Sequence, residues 1–128
     1  MIGLVANDMP RYHLQSFFLV FGENVLRCAE FRQYFDNIRV FPNKQLVIDV
    51  YETRLTQYLN NLGFTAKPIY FFDRTYQHLS DHTLNRWEEL TVAGVPYIKT
   101  SVIRDAKVGA RSGIQKIRQL LPELWGEI

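Results

Sequence analysis

Glu52 is a candidate for acid–base chemistry in this 128-residue chain. It lies within residues 43–62, where apolar side chains recur at alternating steps of three and four, the spacing of one helical face. At ~100° per residue, Glu52 falls at the margin of that face and Asp49 falls opposite it. A carboxylate at the edge of a core is partly desolvated, which suits it to proton transfer. The alternative is a half-exposed acid paired with the charge of Arg54, of Lys44 or of a tertiary partner.

Sequence signals mark both ends of the helix that must position Glu52. Asn43 follows a proline, and its side-chain oxygen can accept from an unpaired amide of the first turn. Gly63 ends the helix, since glycine adopts the left-handed conformation that closes many helices. The face that must be buried consists of Ile48, Tyr51, Leu55, Tyr58 and Leu62.

The whole chain predicts an α/β fold. Short runs rich in β-branched and aromatic residues predict strands, and apolar spacings of three to four predict helices. We expect strands at residues 2–6, 16–21, 67–72 and 97–103, and helices at residues 24–39, 43–62, 84–91 and 112–124. The 16–21 strand should be central and covered on both faces. This order predicts a three-layer sandwich, a mixed sheet flanked by helices.

Length and composition predict one domain, residues 1–128, because 47% hydrophobic content can fill one core. The aromatic residues, nine Phe, seven Tyr and two Trp, exceed what stability requires. Most should lie in the core, and some should line a groove or a covered surface.

Charge and cysteine content exclude several classes of function. The 15 basic and 13 acidic residues are dispersed, so no nucleic acid partner is expected. Cys28 is the single cysteine, which excludes an internal disulfide and fits a reducing cytoplasm. No segment approaches the ~18 apolar residues of a membrane span. We expect a cytoplasmic protein, associated peripherally with the inner face of the membrane if its acceptors are lipid-linked.

Three motif-like features do not meet the requirements of known sites. Residues 109–116 resemble a phosphate loop, but no Gly-Lys-Ser/Thr follows their glycines. His78 and His82 lack the glutamate of a zinc-peptidase helix, so a surface pair explains them better. No Asp-x-Asp occurs, so no cofactor is expected within this chain. The Mg²⁺ or Mn²⁺ of a metal-dependent transferase would be held elsewhere.

Three stretches occur in an informative order: YHLQSFFLVFGENVL (residues 12–26), VYETRLTQYLNNLGF (50–64) and WEELTVAGVPYIKTSVIRD (87–105). Together they resemble the rhamnan synthesis protein F family, bacterial glycosyltransferase-like proteins of cell-wall and O-antigen polysaccharide assembly. The resemblance implies a GT-A-like fold, in which a nucleotide-binding half precedes an acceptor-side half. This chain resembles the acceptor-side half. It would meet its partners, a nucleotide sugar and a glycan acceptor, through a nucleotide-binding half that is missing or separately encoded.

The resemblance also implies a role for Glu52. In the broader GT-A group, a helical acid about three turns before a Gly-aromatic pair is the general base of inverting enzymes. Counting back from Gly63 and Phe64 leads to Glu52. The pair of adjacent acids usual in that broader group is replaced here by Tyr51 and Glu52, so the local electrostatics differ.

Four further residues match the family's motifs as candidate substrate-binding groups. His13, Gln15 and Ser16 could hydrogen-bond a sugar. Lys99 could bind a phosphate or carboxylate, or form a structural salt bridge. The implied activity is inverting transfer of L-rhamnose or a similar sugar, once the chain is joined to its donor-binding half.

Two readings from other classes remain. One is a noncatalytic binding or assembly module, or a truncated relic that lacks the nucleotide-binding half. The absence of a phosphate loop and a metal motif favours it. The other is a flavodoxin-like regulator, for which the sequence offers no flavin or phosphoacceptor loop.

Overall fold

Four strands and eight helical segments form the part of the chain that the structure describes. The computed structural model describes residues 1–71 and 82–104, together with Gln115 and Gln119. The elements are β1 (Ile2–Asn7), β2 (His13–Leu14), β3 (Leu19–Val20), α1 (Glu23–Arg27), α2 (Ala29–Asp36), α3 (Lys44–Val47), a π-helical turn (Ile48–Glu52), α4 (Thr53–Asn61), β4 (Lys67–Tyr70), α5 (His82–Asn85), α6 (Trp87–Val92) and α7 (Thr100–Arg104). The predicted α/β class with a mixed sheet is confirmed.

Contacts divide the chain into two units, Met1–Ser80 and Asp81–Ile128. The first unit contains the sheet, α1 to α4 and the π-helical turn. The second contains the three remaining helices. The expectation of a single domain stays a prediction.

Strand β1 organises the sheet, because each of the other three described strands pairs with it. β2 and β3 run antiparallel to β1, and β4 runs parallel to it. Leu4 and Val5 of β1 are buried, as expected for a strand inside the unit. Within the described residues β4 pairs with β1 alone, which fits Pro68, since proline cannot donate to a second neighbour.

Residues 13–20 run along β1 but bulge in the middle. Leu14 and Leu19 are five positions apart, yet their partners on β1 are three apart, so four residues of the segment face two of β1. Such an excess interrupts the ladder and redirects the side chains. The prediction of a covered central strand at residues 16–21 is therefore wrong, and Phe17 is 47% exposed.

A buried hydrogen bond fixes this segment to helix α4. The amide of Leu14 donates to Oγ1 of Thr56 at 2.9 Å. Leu14 and Thr56 are 2% and 1% exposed, so water cannot replace the bond. Gly3 of β1 permits the close approach of the Leu14 side chain to β1, because a Cβ at position 3 would lie 2.9 Å from Cβ of Leu14.

The predicted helix at residues 24–39 is two helices. α1 and α2 meet at Cys28, whose backbone is extended (φ −69°, ψ 125°). The apolar spacing of residues 24–39 predicts that Phe31, Phe35 and Ile38 face inward; Phe31 is buried, whereas Phe35 and Ile38 are 42% and 43% exposed. The break at Cys28 turns α2 relative to α1, so the two helices do not share one continuous apolar face.

The helix predicted at residues 43–62 begins and ends as expected and changes type in the middle. The Asn43 side chain accepts from the amide of Gln45 at 2.8 Å, which is the predicted cap. Gly63 has φ of +85°, which is the predicted left-handed stop. Between these ends the π-helical turn, Ile48–Glu52, separates α3 from α4.

Two hydroxyl groups satisfy carbonyls at this π-helical turn. The amide of Thr53 donates five residues back, to Ile48, rather than to Asp49. The Thr53 hydroxyl donates instead to the Asp49 carbonyl at 3.0 Å. The Tyr34 hydroxyl donates to the Tyr51 carbonyl at 2.8 Å. These bonds stabilise an arrangement that a regular helix would not adopt.

Tyr34 connects α2 to the long helix through its ring as well as its hydroxyl. Its ring centroid lies 4.8 Å from that of Tyr58 and 6.2 Å from that of Tyr51. The pKa of Tyr34 is raised to about 12, chiefly by burial; the neighbouring Tyr51 contributes to the rise and Arg54 opposes it. Beside Tyr34, the core of the first unit contains Val25, Phe31, Leu55 and Leu59.

Among the residues that the structure describes, the second unit differs from its predicted secondary structure at two places. The helix predicted at residues 84–91 is interrupted at Arg86, between α5 and α6. The core of this unit contains Trp87 and Val102, and Gly94 (φ +91°) follows the end of α6, as predicted. The predicted strand at residues 97–103 is wrong, because helix α7 begins at Thr100. Burial of Val102 at 0% exposure within a helix overrides its β-branched preference.

Some predicted features lie outside the described residues. They are His78, residues 109–116 and the helix at residues 112–124, of which Gln115 and Gln119 alone are described, as helical. None of the helices in the described ranges is long and apolar enough to cross a membrane.

Thr56→Val should destabilise the first unit by about 1–3 kcal/mol, because the buried Leu14 amide loses its acceptor while the side-chain shape is kept. Urea denaturation measures the loss, and hydrogen exchange at the Leu14 amide should become faster. Thr56→Ser keeps the hydroxyl and is the matched control. Unchanged exchange at Leu14 in Thr56→Val would contradict the assigned bond.

Tyr34→Phe should lower the free energy of unfolding by about 1 kcal/mol at neutral pH, through loss of the bond to the Tyr51 carbonyl. Between pH 10 and about 12 the unfolded chain releases the Tyr34 proton while the folded chain keeps it. Wild-type stability therefore falls as pH rises through this window, and the difference from Tyr34→Phe shrinks. Tyr58→Phe, which removes a hydroxyl bonded to the Glu30 carbonyl, should keep the wild-type slope. A constant difference between wild type and Tyr34→Phe would refute the assignment.

Candidate functional site

The Glu52 carboxylate, at the last position of the π-helical turn, lies against the bulge in residues 13–20. Oγ of Ser16 donates to Oε2 of Glu52 at 2.8 Å, and the Ser16 amide lies 3.5 Å from Oε1. The Glu52 side chain is 21% exposed, so one part is held by protein and another can meet a ligand. Ser16 thereby limits the rotation of the Glu52 carboxylate. A general base requires such a fixed orientation.

His13 stands on the other side of the carboxylate. Its Nε2 lies 3.8 Å from Oε1 of Glu52, and the residue is 2% exposed. Its Nδ1 lies 2.8 Å from the carbonyl oxygen of Arg11. Because a carbonyl oxygen only accepts, we assign the hydrogen of this bond to Nδ1, and Nε2 then faces Glu52.

One short segment and one helix bring these groups together. Glu52 precedes Thr56 by four positions, so both lie on the same side of the helix. Leu14, which bonds Thr56, lies between His13 and Ser16 in sequence. The single bond between Leu14 and Thr56 therefore places both partners of Glu52 within reach.

A cavity of about 510 Å³ opens beside Glu52. Its polar end is formed by Glu52 and Ser16, and the remaining walls are mainly aromatic and aliphatic. These walls are formed by Phe17, Phe18, Leu19, Phe21, Tyr34, Phe35, Ile38, Val47, Tyr51 and Leu55. Among the lining residues that the structure describes, Glu52 is the acid, and no lysine or arginine occurs.

The predicted site residues fall into two groups. Glu52, His13 and Ser16 meet in the first unit. Gln15 lies between His13 and Ser16 in sequence and is buried at 5% exposure. Its backbone amide donates to the Val5 carbonyl at 3.0 Å. Lys99 belongs to the second unit, where its backbone carbonyl accepts from the amide of Val102 in α7 at 2.9 Å.

Of the alternative pairings of Glu52, those with Arg54 and Lys44 are not found, since neither lies within 4.0 Å of it. Within the described ranges its neighbour is a tertiary one, the His13 ring, with Nε2 at 3.8 Å from Oε1. Asp49, predicted to lie on the opposite face, accepts from Nε2 of Gln45 at 2.8 Å and does not line the cavity.

Sequence reasoning missed Thr56 and the cavity walls. Thr56 carried a usable signal, because a threonine four residues after a candidate base, on the same helical face, can bond a neighbouring strand. The sequence signal for the cavity walls was misleading, because residues 16–21 have the composition of a buried strand. Tyr51, which stands in place of one of the two adjacent acids of the broader GT-A group, lines the cavity next to Glu52.

Metal binding has no support in the described ranges, where no three His, Cys, Asp or Glu side chains gather as ligands. The Mg²⁺ or Mn²⁺ expected for a complete enzyme stays a prediction. The site's chemistry is that of a carboxylate oriented by a hydroxyl, with an imidazole beside it, at the end of an apolar cleft.

Comparison with known proteins connects this site to a family. The model of a family described as rhamnan synthesis protein F matches residues 5–120, which include the whole site. A protein of Sinorhizobium fredii (strain NBRC 101917 / NGR234), named "Uncharacterized protein y4gN", is 32% identical over 73 residues. That match covers 54% of this chain and 19% of the relative, so the chain spans about a fifth of its length. No solved structure gives a significant match. The chain belongs to the rhamnan synthesis protein F family, as its three motif stretches predicted.

Proposed function

We propose that this chain is the acceptor-side part of an inverting glycosyltransferase that builds bacterial cell-surface polysaccharide, rhamnan or O-antigen. Family membership supports a role in polysaccharide synthesis. The observation that carries the enzymatic proposal is the Glu52 carboxylate, oriented by Ser16 at the polar end of the cavity. Glu52 is the general base in this proposal.

The proposed reaction is a single displacement. The acceptor hydroxyl oxygen attacks the anomeric carbon of the donor sugar, and the bond from that carbon to the nucleoside diphosphate breaks. The departing diphosphate keeps the electron pair, and Glu52 takes the hydroxyl proton. A double displacement would need a second group to act as nucleophile, and the lining residues that the structure describes include no second carboxylate.

The charge of the cavity favours the acceptor over the donor as its ligand. A nucleoside diphosphate requires cations or a metal against its phosphates, and Glu52 would repel them. The described lining contains Glu52 and no lysine or arginine. The donor and its Mg²⁺ or Mn²⁺ would thus be held by another part of the enzyme.

The shape and chemistry of the cavity suit a sugar. At about 510 Å³ it falls within the range of small-molecule sites. The C–H faces of a deoxy sugar are apolar and can pack on rings such as those of Phe17 and Tyr51, while its hydroxyls reach Ser16 and Glu52. We propose L-rhamnose or a similar sugar, supplied by a nucleotide donor on the cytoplasmic side of the membrane.

Glu52→Gln should reduce kcat of a transferase that joins this chain to its donor-binding part by about 10²–10⁴-fold, because the amide cannot take the proton. The assay measures transfer from nucleotide-linked rhamnose to a rhamnose oligosaccharide. Asp49→Asn makes the same chemical change on the same helix outside the cavity, and should keep the rate within about twofold.

Equal rates for Glu52→Gln and wild type, with folding preserved, would remove the general-base role. That result would favour the alternative of a noncatalytic module that holds a glycan for another enzyme. Such a module should still bind the oligosaccharide with both carboxamide variants.

A further inference from the structure

His13 lies behind Glu52 and outside the cavity lining. Its exposure is 2%, so a sugar in the cavity would meet Glu52 and Ser16 before it. We propose that His13 is a positioning residue that shares the proton Glu52 removes from the acceptor, an inference that rests on the proposed function. This assigns His13 to the base rather than to the sugar-binding role expected from the sequence.

The Arg11 carbonyl determines which way the imidazole can act. With its hydrogen on Nδ1 directed at that carbonyl, the neutral ring presents the lone pair of Nε2 to Glu52. In the opposite tautomer, the lone pair of Nδ1 would face the Arg11 carbonyl oxygen at 2.8 Å, where two acceptors would repel each other. The buried ring therefore has a free acceptor on the side of the base.

The 3.8 Å separation between Nε2 and Oε1 fits a pair that lacks one proton. An ionised carboxylate and a neutral imidazole nitrogen both accept, so they do not attract each other closely. A proton placed between them converts the contact into a charge-assisted hydrogen bond of about 2.7–2.9 Å. Closing the gap requires a movement of about 1 Å, well within side-chain motion.

The proton balance follows from this geometry. The acceptor O–H bond breaks as its oxygen bonds the anomeric carbon, and the proton passes to a carboxylate oxygen of Glu52. The protonated carboxyl can then donate to Nε2 of His13. The resulting positive imidazolium is stabilised by the Glu52 carboxylate and by the Arg11 carbonyl. Release of the proton to water resets the pair.

The surroundings of His13 contain few groups that could take over this role. β1 and α4 pack against β2, and β1 contains no titratable side chain. On α4, Arg54 is exposed, and the Tyr58 hydroxyl donates to the Glu30 carbonyl at 3.0 Å. Within the described ranges Glu52 is the carboxylate within 4.0 Å of His13.

A double-mutant cycle in the joined transferase tests whether His13 acts through Glu52. His13→Gln should lower kcat by about 10–100-fold while KM for the oligosaccharide stays the same, because outer partners of a catalytic group act on its chemistry. Adding His13→Gln to Glu52→Gln should cause no further loss. The inference would be overturned if the fold-losses in kcat of the two single variants multiplied in the double variant, or if His13→Gln kept the wild-type kcat. A fully active Glu52→Gln would instead refute the proposed function itself.

A measurement on the unmodified chain covers the case in which His13→Gln does not fold. Nitrogen-15 NMR of labelled histidine distinguishes the two tautomers of the neutral ring. We expect His13 to carry its hydrogen on Nδ1, the less common form in water, with Nε2 unprotonated. A hydrogen on Nε2 of the neutral ring would overturn the inference without any assay of transfer.

Discussion

The site depends on one buried hydrogen bond, from the Leu14 amide to the Thr56 hydroxyl. A bulged segment gains little from its own ladder, so its position must come from elsewhere in the fold. Here a helix supplies that position, because an unpaired amide at this depth would cost about 1–3 kcal/mol. His13 and Ser16 flank the bonded position along the chain. The bond that stabilises the first unit is therefore also the bond that orients the carboxylate.

The π-helical turn contributes a second constraint. Such turns are less stable than regular helix, and they persist where side chains satisfy their carbonyls. The Thr53 hydroxyl does so at the Asp49 carbonyl, at 3.0 Å, and the Tyr34 hydroxyl at the Tyr51 carbonyl, directly before Glu52, at 2.8 Å. Tyr34 also lines the cavity, so one residue supports the backbone under the acid and forms part of the wall beside it. Packing of α2 is in this way connected to the geometry of the base.

The sequence could predict features that depend on local chemistry. The cap at Asn43, the stop at Gly63 and the position of Glu52 at the edge of an apolar face are all encoded within a few residues. It could not predict the π-helical turn, because one inserted residue barely alters an apolar spacing of three and four. Nor could composition separate the bulge at residues 15–18 from a buried strand, since the difference lies in pairing with β1. The prediction of a strand at residues 97–103 is wrong for a similar reason, because tertiary burial decided between helix and strand there.

The cavity beside Glu52 is proposed to receive a neutral glycan rather than a nucleotide. The most direct measurement is an NMR titration of this chain with a rhamnose oligosaccharide and, separately, with a nucleoside diphosphate. We expect the glycan to shift the amide signals of Phe17, Tyr51 and Glu52, and the nucleotide to leave them unchanged. Shifts at these residues with the nucleotide alone, or no shifts there with the glycan, would contradict it.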